Sequence, residues 1–547
     1  MRHGRAPHPA MSILRADYRR GAISRREFLS LATTFAGGTF ASGSGLLCAR
    51  GALAQEAETA PQGRSLSIQM DVRPLTDPRL YAWSEMGNAT RGLLEYLVEM
   101  DRSGRFFGGL LAGWDVNDDA SVYTLHLKRD VTWNTGEAFV AEDVVANLHG
   151  WADTTVPGNS MATRLAALVD PATGRARAGA ITDTDRHTVR VALSRPDATF
   201  ISGLSDYPAA VQHRDRIGET PLDHGVGTGA YRIASYEPGV AATLVRDPGR
   251  THHRAPTLDT VTFRDLGPDP SIWHEAAAAG EIDMIFRAET DDLARFADLG
   301  WTRHATPSAT TVVVRPNQRA EVVGLRPYAD RQVRRALALA IDNAVCLELA
   351  IAGRGSVAEN HHVAPLQPDH AEVAPARHDP RAARDLLAAA GMADFEHEIV
   401  SVDDTWRRNT ADVVAAQLTD AGIPNRRAIV PREDFATRWT TYPFSATNWN
   451  HRALGVEVLS LAYRSGATWN ETGFADPAFD ALLDEAAAVV SAEARRPVMA
   501  RLQTMMQDEG VTIQPFWQTL YRYAAPHVTG ASMHPKFELD IHDLGRA

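Results

Sequence analysis

Lysine is almost missing from this 547-residue chain, with Lys128 and Lys536 as its only two examples against 54 arginines. Such a skew reflects genome composition more than chemistry, so an isolated arginine carries little information. Cysteine is as scarce: Cys48 and Cys346 are the only two. With no Cys-x-x-Cys and no His-Glu-x-x-His, a disulfide framework, an Fe–S centre and a catalytic zinc all lack sequence support. Basic charge is in deficit, with a formal net charge of −12, which excludes the basic face that nucleic acid requires. No Gly-Lys-Ser/Thr follows the Gly225-Val226-Gly227-Thr228-Gly229 run, which therefore reads as a turn and not as a nucleotide loop. The chain after residue 54 has no Gly-x-Ser-x-Gly elbow, and no repeat or low-complexity tract follows residue 65.

A long apolar run is also lacking. Leu29 to Leu47 is broken by Gly37-Gly38 and Ser42-Gly43-Ser44-Gly45, with Arg50 soon after, whereas a bilayer span needs roughly 20 apolar residues. What precedes it is informative. Ser24-Arg25-Arg26-Glu27-Phe28-Leu29 places paired arginines ahead of this weakly apolar stretch, as a twin-arginine export signal does. Ala52-Leu53-Ala54 supplies the small-x-small pattern of a signal peptidase site. Residues 1–54 are thus expected to be a cleaved twin-arginine signal peptide, with the mature protein starting near Gln55 in the periplasm. Leu47 directly before Cys48 fits a lipoprotein signal poorly, so lipid anchoring there is not expected. Cleavage removes eight arginines and two acidic residues, leaving 48 basic against 66 acidic groups. It also leaves Cys346 alone, so no intramolecular disulfide is available and about 490 residues must be stable by core burial.

Strand-like and helix-like segments alternate along the mature chain, the pattern of an α/β class. Short β runs occur at Leu66 to Met70, Val122 to Leu127, Thr188 to Leu193, Thr243 to Arg246, Thr260 to Phe263, Ile282 to Phe286 and Thr311 to Val314. Asp379-Pro380 and Asp476-Pro477 each pair an N-cap with a first-turn proline. Ala383, Leu386, Leu387 and Ala390 then form one apolar face, ended by Gly391, and Phe479, Leu482, Leu483, Ala486 and Val490 form another. Asp330 caps a predicted helix that presents Val333, Leu337, Ala340, Ile341 and Ala344 to a core. These stripes are packing surfaces.

Several phrases, in order, resemble the large extracellular solute-binding proteins of the peptide, dipeptide and nickel class that serve ABC importers. They are Gly92-Leu93-Leu94-Glu95-Tyr96-Leu97-Val98 and Leu111-Ala112-Gly113-Trp114, then Tyr123 to Glu137 followed by Ala141-Glu142-Asp143-Val144-Val145. Downstream come Gly227-Thr228-Gly229-Ala230-Tyr231, Ala279-Gly280-Glu281-Ile282-Asp283, Val333 to Asp342 and Leu386 to Gly391. The resemblance covers nearly the whole mature chain. It implies a two-lobed periplasmic-binding-protein fold of type II, of the large cluster C kind, closing around a ligand like a jaw. Lobe I would take residues 55–305 and 511–547, with an inserted subdomain at about 85–185. Lobe II would take 306–510. The chain would cross between them near Ala305-Thr306 and Val511-Thr512. The implied function is capture of a small polar solute, without catalysis or cofactor, by a monomer that delivers it to a permease and ATPase on other chains.

The same resemblance places the mouth of the cleft near Trp449. In peptide binders an Asp three residues after the equivalent Trp takes the ligand's amino terminus, and here that position is Arg452. A guanidinium repels an ammonium and offers a planar fork to a carboxylate or phosphate, which points to a peptide or amino-acid-derived solute with a free acid. Pairing of Arg452 with an internal acid such as Glu457 is the competing reading. Asn448 and Asn450 can donate and accept while the Trp449 indole covers an apolar face. Trp517 is a second aromatic candidate at the cleft wall, and Asp71 and Arg354 complete the candidate contacts. Trp406 and the Trp469-Asn470-Glu471 phrase read as buried core before ligand platform. His361-His362 and His252-His253 read as surface histidines, since adjacent residues diverge in direction and rarely share one metal. Three alternatives stand beside the receptor reading: an exported hydrolase with a paired-carboxylate site, a nickel or metal-chelate receptor, and an opine receptor of the same fold.

Overall fold

The computed structural model describes residues 64–250, 252, 254–288 and 293–547. The twin-arginine segment, the cleavage site and Cys48 lie outside the described residues. Strand β1 (Ser65–Gln69) opens the first lobe, with Leu66 and Ile68 alternating into its core. The chain then leaves for a small antiparallel sheet of β2 (Leu111–Val116), β3 (Val122–Leu127), β4 (Ile181–Asp185) and β5 (Thr188–Ala192), ordered β2-β3-β5-β4. Helix α1 (Ala141–Trp151) packs with it, and a separate core reaches from Leu93 to Val211, beyond the 85–185 span read from the sequence. The Trp133 and Asp143 of the most recognisable sequence phrase form a packing device here, the indole N–H donating to the buried carboxylate at 3.1 Å.

Strands β6 (Tyr231–Glu237), β7 (Ala241–Arg246), β8 (Thr260–Arg264), β9 (Met284–Ala288) and β10 (Thr302–Pro307) return to the first sheet. The glycine run ahead of β6 is a site of close backbone approach. A Cβ on Gly227 or Gly229 would stand 2.1 Å from the carbonyl oxygen of Leu93 or Gly92. This is the turn reading, with its physical reason.

Residues 308–310 cross to the second lobe. It includes β11 (Thr311–Pro316), α2 (Arg331–Leu339), α3 (Asn343–Ile351), β12 (Gly355–Val357), α4 (Pro380–Ala389), β13 (His397–Ser401), α5 (Thr405–Asp420), β14 (Asn425–Ile429), β15 (Phe444–Trp449), α6 (Gly455–Ala462), α7 (Pro477–Ala487) and α8 (Ala492–Glu509). Its sheet is ordered β11-β15-β13-β14. Residues 510–515 then lead back to β16 (Phe516–Ala524), which inserts between β9 and β10, completing the order β6-β7-β8-β1-β9-β16-β10. The short β12 of lobe II pairs with the same β16. The two crossings run side by side. Val314 bridges Ile513, and the buried Gln514 amide donates to Thr311 Oγ1 at 2.9 Å while its own N–H donates to Asn360. The result is a two-lobed α/β fold of the periplasmic-binding-protein kind.

Local differences from the sequence reading have identifiable causes. The single helix read from Asp330 to Ala344 is two, because the Asp342 carboxylate accepts the N–H groups of Ala344 and Val345 and starts α3. The strand read at Ile282–Phe286 begins at Met284, since Asp283 turns its carboxylate onto the Ser67 N–H instead. His361 and His362 are buried, not on the surface, and so is the His252 side chain, whose ring stacks on His542 at 5.1 Å. Their neighbours come from remote segments, which adjacency along the chain does not reveal; His253 lies outside the described residues.

Candidate functional site

The lobes meet along a buried seam of charge. Asp206 and Ser202 belong to the segment after β5, in lobe I; Arg452 follows β15, and Glu457 sits in α6, in lobe II. The Asp206 carboxylate accepts from Arg164 Nε at 2.8 Å and Nη2 at 2.5 Å, and Arg452 Nη1 stands 3.9 Å from the same oxygen. Ser202 Oγ donates to Glu457 Oε2 at 3.0 Å across the seam, and the Ala198 N–H donates to the Ala487 carbonyl at 2.9 Å. Lys536, one of the two lysines, donates to the Ser205 carbonyl at 2.8 Å. Burial by itself would raise the Asp206 carboxyl, but the charges of Arg164, Arg452 and Lys536 hold it well below the usual range. Burial dominates at Glu457, whose carboxyl is raised despite Arg452.

Arg452 is under-satisfied in this setting. It is 7 % exposed, its Nη1 donates to the His451 carbonyl at 3.2 Å, and its buried Nε has no hydrogen-bond partner. The internal-acid alternative is therefore realised in part, with Asp206 as the acid in contact and Glu457 acting through space. Arg164 and Arg452 both lie over the Trp469 ring, at 5.3 and 5.8 Å.

Trp469 meets Trp449 edge-on at 6.0 Å, opening an aromatic wall. The Trp449 indole N–H donates to Glu471 Oε1 at 2.7 Å, while Glu471 Oε2 accepts from Thr447 Oγ1 and Arg315 Nε, each at 2.7 Å. That carboxylate fixes the indole plane from behind. His362 packs edge-on against Trp449 and tilts against Trp517, and its Nδ1 is 2.7 Å from the Tyr463 hydroxyl. Burial pushes His362 down to about 3, so the ring is neutral at physiological pH.

Asn448 and Asn450 are half-buried at the end of β15, beside this wall. Asp71 lies elsewhere, after β1, where it accepts from Arg73 at 2.8 Å; burial raises its carboxyl in spite of that partner. Arg354 is also apart from Arg452. It borders a small cavity between the lobes together with Arg287 on β9, Trp406 at the start of α5, and Gln518 and Tyr521 on β16. The structure thus brings together Trp449, Trp517 and Arg452 with their neighbours; Arg354 stands beside the Trp517 strand, just ahead of β12, and Asp71 follows β1. Sequence reasoning missed Asp206, Arg164, Arg287 and Gln518. The scarcity of lysine was the one signal that could have marked Lys536. Among the described residues, no group of three or more His, Cys, Asp or Glu is arranged to hold a metal, and no helix is long and apolar enough to cross a membrane.

Comparison with known proteins matches the family described as bacterial extracellular solute-binding proteins, family 5 Middle, over residues 105–470. The chain is 22 % identical over 466 residues to heme-binding protein A of Haemophilus influenzae, covering 78 % of this chain and 81 % of that protein. It is 23 % identical over 507 residues to a dipeptide-binding protein of Pseudomonas aeruginosa, covering 84 % and 90 %. Among solved structures, the periplasmic binding protein AgaA of A. tumefaciens R10, in complex with agropinic acid, superposes with a TM-score of 0.75 at 20 % identity, covering 88 % of this chain and 99 % of that one. Three relatives on one fold are thus named for three unlike ligands, so the fold alone does not specify a solute.

Proposed function

We propose that this chain, which belongs to family 5 of the bacterial extracellular solute-binding proteins, is the periplasmic receptor of an ABC importer for a small polar solute bearing a carboxylate. The observation that carries the ligand's charge is Arg452, which is shut into the seam between the lobes with Nε unbonded and its nearest acid 3.9 Å away. A buried, incompletely paired guanidinium favours an incoming anion. The aromatic faces of Trp449 and Trp517 would flank the solute, Asn448 and Asn450 would bond its polar groups, and Asp71 and Arg354 would complete the contacts.

The mechanism is a population shift. A solute that touches both lobes only when they are closed favours closure by its differential affinity, and the permease with its ATPase reads closure as occupancy. No covalent step is involved. The protein would act as a monomer, exported through the twin-arginine route and cleaved near Ala54.

A peptide or other amino-acid derivative is the first solute class. An opine is the second, favoured by Arg452 standing where peptide binders keep an aspartate. Native mass spectrometry on protein purified gently from its own periplasm tests the reading. A discrete small-molecule adduct with an acidic group, lost on denaturation, is the expected result. A basic or neutral adduct would overturn the charge assignment, and turnover of the bound compound would overturn the receptor assignment.

A further inference from the structure

Among the described residues, three arginines are no more than 1 % exposed, and they are not partnered alike. Arg315 meets Glu471 at 2.7 Å and Arg495 meets Asp369 at 3.0 Å. Arg522, on β16, meets no carboxylate. Its Nε donates to the Phe286 carbonyl at 3.0 Å and its Nη1 to the Ser532 carbonyl at 3.2 Å, while the buried Nη2 is unbonded. Burial, and then the charge of Arg102, push this guanidinium down to about 9, so it is still cationic at neutral pH. A buried charge without a counter-charge is destabilising, and a buried N–H without an acceptor adds to the cost.

The surroundings repeat the pattern. His304 on β10 is the direct cross-strand partner of Arg522, so the two side chains share one face of the sheet. His304 Nε2 is also buried and unbonded. Burial, Arg522 and Arg102 all lower the imidazole's pKa, and the neutral ring with its hydrogen on Nε2 is a donor. Arg102 comes from the turn at 101–105. Its side chain is 46 % exposed and loosely tied, 3.5 Å from an Asp543 carboxylate that Arg254 holds at 3.1 Å. Two shielded donors and a second cation thus act on one another with no acid between Arg522 and His304.

We infer that Arg522, His304 and Arg102 form a site for a small inorganic anion, chloride in size, within the first lobe. Such an ion supplies the counter-charge that Glu471 gives Arg315 and Asp369 gives Arg495, and it fastens the 101–105 turn to the edge of the sheet. All three residues belong to one lobe, so the site is separate from the seam and does not depend on the solute. The donors are shielded from bulk water. The ion therefore enters by displacing the exposed Arg102 side chain, and a monatomic ion suits so confined a place better than a tetrahedral one.

The test uses the mature protein in gluconate buffer, titrated with chloride, bromide, sulfate or phosphate at constant ionic strength and followed by thermal shift. Chloride and bromide should raise Tm saturably while sulfate and phosphate do not, and crystals soaked in bromide should show an anomalous peak between Arg522 Nη2 and His304 Nε2. Arg522→Met removes an unpaired charge, so its Tm in gluconate should be unchanged or higher and its chloride response absent. An Arg522 that served only its two carbonyls would instead give a lower Tm in every salt. His304→Leu, at a partly exposed position on an edge strand, should fold normally and raise the half-saturating chloride concentration about tenfold or more. No halide response, or one that survives both substitutions, would overturn the site. A response to sulfate or phosphate alone would overturn the size assigned to the ion.

Discussion

Arg452 and Asp206 face each other across the two lobes, Nη1 to Oδ2 at 3.9 Å, with Arg164 bonded to the same carboxylate oxygen. The contact is long enough to leave the Arg452 fork incompletely paired. In the proposed complex that fork meets the solute's acid, so Arg452→Ala should weaken binding of the co-purifying solute by on the order of a hundredfold. Calorimetry on stripped and reloaded protein measures it, and a loss under threefold would remove Arg452 from the site.

Asp206→Asn acts on stability instead. It leaves Arg164, Arg452 and Lys536 without their shared anion in a buried setting, where breaking one partner of a charge pair costs about 3–5 kcal/mol. Urea unfolding should show that loss. A change below about 1 kcal/mol would mean that the seam opens to water and screens these charges.

Glu471 and Arg315 form a second buried pair, with side chains 2 % and 0 % exposed, and Glu471 also orients Trp449. Glu471→Gln keeps the shape but strands the Arg315 charge, and about 3–5 kcal/mol should again be lost. Adding Arg315→Met should restore a large part of it, since removing both charges avoids the desolvation cost. Tryptophan emission should shift in the single variant as the Trp449 indole loses its charged acceptor. If the double variant is no more stable than the single one, the pair is not what Glu471 serves.

How far the sequence reached follows the range of each interaction. Asp379 and Asp476 cap α4 and α7 as read, because a cap is a bond between residues two or three apart. Gly391 takes the left-handed φ of +68° expected of a helix terminator. Asp342 was read as part of an apolar helix because the stripe continues past it, although its side chain starts a new helix. Trp449 was visible through a family phrase, but Asp206, its neighbour Arg164 and Gln518 had no local signal. Each acquires its meaning only when segments far apart in the chain meet. The burial of His361 and His362 was missed for the same reason: Gln503, Tyr463 and Trp449 pack on them from other elements.

The glycine run separates two reasons for glycine. Gly225 has φ +63° with open space around its Cβ position, so alanine there pays only the left-handed backbone cost of about 1–2 kcal/mol. At Gly229 a Cβ would sit 2.1 Å from the Gly92 carbonyl oxygen, so the turn and the remote Gly92 segment must part. Gly229→Ala should therefore destabilise more than Gly225→Ala, by at least 1–2 kcal/mol more on urea unfolding. Equal effects would show that the turn yields without cost.

Acid should destabilise this protein well above the pH at which its carboxylates titrate. Burial pushes His361 and His362 down to about 3, and His397 and His534 to about 4; it also sets His451 well below the ordinary value. These rings stay neutral in the folded state while the unfolded chain takes up protons below about pH 6.5, so stability falls as pH drops through that window. Each of the four rings pushed to about 3 or 4 contributes a loss of about 2 kcal/mol by pH 5. Glu99, raised to about 7 first by burial and then by Asp540, and Glu457, raised by burial, work the other way, since their folded forms bind protons more readily. Asp206 enters only below about pH 4, where its depressed carboxyl begins to cost stability. The histidines outnumber the opposing acids, and the net loss from pH 7 to 5 is on the order of 5 kcal/mol, or about 5 °C in Tm for a chain of this size. Calorimetric scans at fixed ionic strength measure it, and His362→Gln should flatten the slope; a Tm that rises on acidification would show that the buried acids, not the histidines, govern stability in this range.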